Sequence, residues 1–302
     1  CTSEVFQVSD IENAVFQALK KELSLLNALY GDIQKEEQDL KEAHKMANRR
    51  KTLLGRNGAG KSTLLNIVSN RIFADSGEVT VDGEPQADND SAVGKIHMMS
   101  EQLLYNPAIK VKEMFKTASF FYPDYDMDYA MKLCNEYGLD IKKRLGRLST
   151  GYRTIAKIVN ALACNAPVVF FDEPVLGLDA NHRDMFYRQV VNHYNDHPAT
   201  YVISTHLIEE AAGIIERAVV IKDGKLLLDE DADNVRSMGY SVSGKASDVE
   251  SFIAGKDVMG VDSIGVLKTA YVKGNRANDN VPPELEAEPL SLQALFIQLT
   301  NS

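Results

Sequence analysis

The stretch Gly55-Arg56-Asn57-Gly58-Ala59-Gly60-Lys61-Ser62-Thr63 decides the fold. It fits the pattern G-x-x-x-x-G-K-[ST] and stands between a short apolar run, Thr52-Leu53-Leu54, and a helix-like run, Leu64-Leu65-Asn66-Ile67-Val68. Strand, glycine-rich turn and helix in that order make a cradle for phosphate. Successive backbone N–H groups must point inward around the anion, and side chains would obstruct them. Lys61 then places an ammonium between the outer phosphates, and Ser62 offers its hydroxyl to Mg²⁺. The following helix N-terminus adds its positive end. The plainer reading is a glycine turn that merely joins strand to helix; the full pattern in this context argues against it.

Downstream, Val168-Val169-Phe170-Phe171-Asp172-Glu173-Pro174 reads as an apolar strand that delivers two acids to a sheet's C-terminal edge. An open α/β fold binds its ligand at that edge. Asp172 is the candidate holder of Mg²⁺, usually through water, and Glu173 the candidate general base for an attacking water. Alone, two acids after a strand are most often caps or turn residues; beside a phosphate loop they suggest nucleotide hydrolysis.

Thr200–Ser204 is a second compact strand signal, and Glu78–Gly83 alternates and ends in a turn. Val219-Val220-Ile221, Asp223-Gly224 and Leu226-Leu227-Leu228 read as an edge hairpin. The alternation of strands with helices predicts an α/β fold, a P-loop NTPase core with a mainly parallel sheet over 51–236. After it, short strands surround a helix holding Val249, Phe252 and Ile253. The polar connection Asn278–Pro289 then leads to a last helix marked by Leu292, Leu295-Phe296 and Leu299. Residues 237–302 are therefore expected to form a small α+β accessory region. The acidic run Glu284–Glu288 reads as solvated connection.

Composition sets the outer limits. The chain has 302 residues and a net charge of −10 from 43 acidic and 33 basic side chains, so phosphate-backbone binding over a large face is disfavoured and no nucleic-acid partner is expected. No run approaches the ~18–20 apolar residues of a membrane span. Cys1, Cys134 and Cys164 are far apart and show no metal-type spacing, so they read as reduced thiols, with Cys164 in the core. The polar N-terminus carries no secretory signature, and because it opens on Cys1 rather than Met its first residues are read as incomplete.

With these motifs in hand, the chain resembles the ATP-binding subunits of ABC transporters. Leu148-Ser149-Thr150-Gly151-Tyr152 is similar to the family signature, usually L-S-G-G-Q, and lies just upstream of the acidic strand. Leu176-Gly177-Leu178-Asp179 resembles the D-loop, and Ile203-Ser204-Thr205-His206 the switch-histidine strand. The elements stand in the family's order, and the resemblance covers about 51–236. LSTGYR together with FFDEPVLGLDANHRD is most similar to the YtrB-like bacterial subunits.

The resemblance implies a head-to-tail dimer with each ATP held between one phosphate loop and the facing signature. Gly55, Asn57, Gly58, Ala59, Gly60, Lys61, Ser62 and Thr63 then bind nucleotide in one subunit. Ser149 and Gly151 contact its γ-phosphate from the other, and Asp179 lies at the interface. His206 contacts the γ-phosphate and orients the water, beside the base Glu173. For the Q-loop residue at the metal, register favours Glu101 and residue type favours Gln102. The segment around 103–160 is implied to be the helical subdomain that meets the membrane subunits. Its aromatic group, Phe115 and Phe120-Phe121-Tyr122, is read as core rather than partner surface.

Departures from the family accompany the match. Position 150 is Thr instead of Gly, and 152 is Tyr instead of Gln. Residues 10–50 have helical spacing, from a cap at Asp10 through Leu26 and Leu29-Tyr30 to a charged stretch ending at Arg50, where the family has strands. Tyr30 is read as a helix-face residue rather than an adenine platform. His193 and His197, at i and i+4, are read as a polar helix end without a third metal ligand. The expected function is an ATPase subunit that binds Mg²⁺ and ATP, pairs with a second ATP-binding subunit as a homo- or heterodimer, and drives a separate membrane permease from the cytoplasmic face. The competing readings are a non-transport ABC ATPase acting on nucleic acid or ribosomes, and an ATP-binding module with impaired turnover.

Overall fold

Strand β1 (Arg50–Leu54) runs into the glycine-rich turn, and helix α1 (Lys61–Val68) leaves it. The computed structural model describes residues 50–276 and 279–301. The expected helix before the phosphate loop, with Asp10 and Tyr30, lies outside the described residues apart from its last position. There the expectation is corrected: Arg50 opens a strand, in register with Tyr201, and its backbone N–H and guanidinium both bond to Glu216.

A small hairpin follows, β2 (Thr80–Val81) and β3 (Glu84–Pro85), shorter than the strand expected over 78–83. Asp82 (φ 52°) and Gly83 (φ 79°) make its turn, the left-handed pair a tight hairpin requires. Next come α2 (Asp90–Gly94), β4 (Ile96–Met99), α3 (Val111–Phe121), α4 (Met127–Glu136), α5 (Thr150–Ala163) and β5 (Val168–Asp172). The chain continues through α6 (Ala180–Asp196), β6 (Thr200–Thr205), α7 (Ile208–Ala211), β7 (Arg217–Lys222), β8 (Lys225–Asp231) and α8 (Ala232–Ser237).

Six strands form one sheet in the order β4-β5-β6-β1-β7-β8, parallel throughout except for β8. Successive strand residues point to opposite faces, and both faces are covered. Leu53, Met98 and Phe170 pack toward Leu64 and Leu65 of α1. Their neighbours Leu54, Met99 and Phe171 pack on the other side with Ile155, Ile158 and Val159 of α5 and Phe186 of α6. Each such side chain taken from water contributes about 1.5–3 kcal/mol, which makes this two-sided core the main reason the sheet holds its order.

In the helical part, Val111, Met114, Phe115 and Ala118 form the buried stripe of α3. Tyr122 continues it and donates its hydroxyl to the Ile96 carbonyl at 3.0 Å. Phe120 and Phe121 fall off that stripe and are 76% and 72% exposed, which corrects the core reading for those two rings.

The C-terminal part holds β9 (Gly239–Lys245), α9 (Ala246–Ile253), β10 (Val258–Ile264), β11 (Leu267–Lys273), β12 (Glu286–Pro289) and α10 (Leu292–Asn301). Its four strands pair antiparallel in the order β10-β11-β9-β12. Strand β12 corrects the reading of 284–288 as solvated connection. Leu285 and Ala287 are buried with Tyr240, Val242 and Val249, while Glu284, Glu286 and Glu288 face outward. Helix α10 returns to the large core, where Leu292 and Leu295 are buried beside Ile208, Ala211 and Val235.

Candidate active site

Parallel register brings three chain segments to one edge of the sheet. Leu54 pairs with Thr205 and Asp172 with Ser204, so β1, β5 and β6 end side by side. The turn after β1, the pair Asp172-Glu173 and His206 all emerge there, at the carboxyl ends of the strands where open α/β sheets bind ligands.

The turn has the shape its sequence implies. Gly58 (φ 83°) and Gly60 (φ 101°) are left-handed, a conformation side-chain-bearing residues rarely adopt. A side chain at Gly55 would press against the Ile221 carbonyl, only 2.9 Å from where its Cβ would stand. Ala59 is buried, whereas Asn57, Ser62 and Thr63 are exposed. No side chain caps α1, so its first-turn N–H groups remain available to an anion. Lys61 is buried and folds over the turn, donating from Nζ to the Gly55 carbonyl at 2.7 Å. Burial lowers its pKa below the ordinary lysine value, against the opposing charges of Glu173 and Asp172.

Glu173 stands between this lysine and His206. One carboxylate oxygen, Oε1, is 4.0 Å from Lys61 Nζ, and the other, Oε2, is 2.9 Å from His206 Nδ1. Its backbone is left-handed (φ 48°), unusual for a residue with a long side chain, and its N–H donates to the Ser204 carbonyl at 2.9 Å. Asp172 sits one residue earlier, 3% exposed, and its Oδ1 is buried without a hydrogen-bond partner. An unpaired buried carboxylate oxygen is costly unless a cation completes it, so the donor set of Asp172 with Ser62 fits a hard, oxygen-preferring metal such as Mg²⁺.

The signature and the D-loop form a second cluster. Ser149 caps α5, its Oγ accepting from the Tyr152 N–H at 3.3 Å. At Gly151 a Cβ would meet the Gly177 carbonyl at 3.0 Å, so glycine permits the two turns to touch. Asp179 caps α6 through Oδ1 and holds His182 Nδ1 through Oδ2 at 2.8 Å. These bonds from the His182 backbone and ring keep the Asp179 carboxyl below the usual range. Among the described residues, no hydrogen bond or ion pair joins Ser149 or Gly151 to the turn 55–63. Glu101 and Gln102 are both exposed; Lys157 binds the Ser100 and Glu101 carbonyls, at 2.8 and 2.6 Å, and so pins the segment's backbone.

Similarity to known proteins agrees with this geometry. The ABC transporter family model matches residues 45–176. The chain is 27% identical over 252 residues to the ABC transporter ATP-binding protein YtrB of Bacillus subtilis, covering 81% of this chain and 86% of that protein. It is 30% identical over 193 residues to the phosphonates import ATP-binding protein PhnC of Hydrogenovibrio crunogenus, covering 59% and 71%. The chain belongs to the ABC transporter ATP-binding family. Its fold is also that of the dimeric ATP-binding cassette MJ0796 bound to ADP and Pi, with a TM-score of 0.54, 24% identity and coverage of 62% and 86%.

Three residues of this ABC ATP-binding chain escaped the sequence reading. Lys157 anchors the backbone at Ser100 and Glu101 from about two turns into α5. His182 and Arg183 flank the D-loop, with Arg183 Nε donating to the Leu178 carbonyl at 3.2 Å and its guanidinium pairing with Glu210 of α7. Spacing alone marks His182, three residues after a capping Asp; the partners of Lys157, and Glu210 as partner of Arg183, lie on distant segments. His193 and His197 stack at 5.0 Å between ring centres, and both nitrogens of His193 are engaged, by the Tyr201 hydroxyl and the Asn165 side chain.

Proposed function

We propose that this ABC ATPase binds ATP on the turn 55–63, closes head to tail on a second ATP-binding subunit, and thereby drives a separate membrane permease. The observation that carries the reading is Glu173, set between Lys61 and His206 at the carboxyl edge of the sheet. Lys61 and the first-turn N–H groups of α1 hold the phosphates. Ser62 and Asp172, with Glu101 or Gln102, are the residues that would hold Mg²⁺. When bound, Mg²⁺ supplies positive charge that neutralises the phosphoryl group in transfer.

A proton on His206 Nδ1 bonds it to Glu173 Oε2 and fixes the carboxylate, leaving Oε1 to take the proton from the attacking water. That water's oxygen bonds to the γ-phosphorus as the bond to the ADP oxygen breaks. Ser149 and Gly151, at the N-terminus of α5, bind the γ-phosphate of the facing subunit. Asp179 lies beside them on the same surface.

In this reading residues 51–236 are the ATP-binding domain, 103–160 its helical subdomain and 237–302 an accessory region. No helix among the described residues is long and apolar enough to cross a membrane, and the reading assigns the spanning to a separate partner. The exposed Phe120 and Phe121 offer that partner an apolar contact at the end of α3. The chain would then work at the cytoplasmic face of the membrane. Affinity recovery of the full chain from solubilised membranes tests this. A multi-span protein recovered in stoichiometric amount is the expected result; ribosomes or DNA in its place would contradict it.

A further inference from the structure

Tyr152 stands where the family has glutamine, and the structure gives that ring a neighbour. The imidazole of His182 lies 6.2 Å from the Tyr152 ring, edge to face, and 6.0 Å from the Tyr137 ring, near parallel. Both separations are within the 4.5–7 Å over which aromatic pairs attract. Tyr137 is 2% exposed and forms a fixed floor. From this position His182 Nδ1 reaches Asp179 Oδ2 at 2.8 Å. One side chain therefore touches the signature helix on one side and the D-loop carboxylate on the other.

The backbone around it is closely fitted as well. The Gly177 carbonyl approaches Gly151 so closely that a Cβ there would stand only 3.0 Å from it, and the Thr150 methyl would lie 3.4 Å from a Cβ on Gly177. The signature turn and the D-loop turn thus share a seam, and His182 closes its open end. A helix cap alone does not require this arrangement. The cap is made by Asp179 Oδ1 and the His182 backbone N–H, at 2.9 Å, and leaves the imidazole free to point elsewhere.

We propose that His182 is a positioning residue that ties Asp179 to Tyr152, so that signature and D-loop meet a facing subunit as one rigid piece. The inference rests on the head-to-tail reading above. It accounts for Tyr at position 152: the ring supplies the edge against which the imidazole is held, where a glutamine supplies none. It also predicts where a defect will show. Nucleotide binding to the chain's own phosphate loop needs no contact from His182, whereas closure of two subunits around ATP does.

The test uses the full chain carrying Glu173→Gln, with ATP and Mg²⁺, and measures dimer formation by sedimentation velocity. His182→Phe keeps a ring between Tyr137 and Tyr152 and keeps the backbone cap, losing only the contact with the carboxylate. Tyr152→Ala removes the ring edge from an exposed position. Each is expected to raise the protein concentration at half-dimerisation about tenfold. Binding of a fluorescent ATP analogue to the monomer should stay within about twofold of the parent. The double variant should lose no more than the worse single one, because both break one linkage. Unchanged dimerisation in both variants would overturn the proposal. So would a matching loss of monomer nucleotide affinity and melting temperature, which marks local unfolding instead. If the Glu173→Gln parent itself stays monomeric with ATP, head-to-tail closure between two copies of this chain falls, and that failure is visible before any His182 variant is made.

Discussion

His206 Nδ1 lies 2.9 Å from Glu173 Oε2, across the ends of two adjacent parallel strands. The pair joins the last residue of the switch motif to the second acid of the Asp-Glu motif, and both depend on β5 and β6 keeping their register. His206→Ala should therefore lower hydrolysis about 10²-fold, the usual worth of an oriented acid–base group, while ATP binding is retained. Steady-state rates alongside equilibrium binding check this; a variant that loses binding as well places His206 in a different role.

Gly151→Ala tests the seam between signature and D-loop. The added methyl meets a backbone carbonyl 3.0 Å away, and a backbone neighbour gives way less cheaply than a side chain. The variant should fold, with a melting temperature a few degrees lower, yet lose most ATPase activity because Ser149 and Asp179 shift relative to each other. Circular dichroism melting with a rate assay separates the two effects.

Acid should weaken this fold through two buried histidines. Burial, with a smaller push from Arg71, lowers His97 from 6.5 to about 3; burial, helped by His197, lowers His193 from 6.5 to about 4. Above pH 6.5 neither state binds the proton, so neither group affects stability. As pH falls below 6.5 the unfolded chain binds protons that the folded chain refuses, at a cost of about 1.4 kcal/mol per pH unit per histidine. The loss ends for each group near its folded pKa. Denaturant unfolding between pH 7 and 4.5 should show that slope, and His97→Phe should make it shallower by about half.

Leu295 of α10 is 2% exposed and packs in the large core, although its helix follows the C-terminal sheet. Leu295→Ala should cost about 2–4 kcal/mol in a single cooperative transition. Chemical denaturation checks the magnitude and the cooperativity; a separate early transition confined to 239–301 would show that α10 is not part of that core.

What was legible in the sequence is what needs particular residue types. The turn 55–63 needs glycines at left-handed positions and a lysine, and Val168–Glu173 needs an apolar run ending in carboxylates, so both were readable. The hairpin around Asp223-Gly224 was readable for the same reason, since its turn demands positive φ. Strand β12 and the residues leading into it were not, because Glu284, Glu286 and Glu288 hide the inward Leu285 and Ala287, and a charge run masks a period of two. Phe120 and Phe121 resembled core residues by type; only the phase of α3 shows that they fall beyond its buried stripe. The His182 contacts join segments 45 and 30 positions apart (182 − 137 and 182 − 152), and no local pattern records such a meeting. The same holds for Lys157, whose partners are carbonyl groups of any residue.

The account turns on Glu173 as the base of an ATPase, and one comparison tests that directly. Mg-ATP hydrolysis by the purified full chain is measured beside Glu173→Gln, with ATP binding followed in both. The account predicts that both bind ATP and that the variant turns over about 10²–10³-fold more slowly. Equal rates in the two, or a wild-type chain that binds ATP without hydrolysing it, would contradict it.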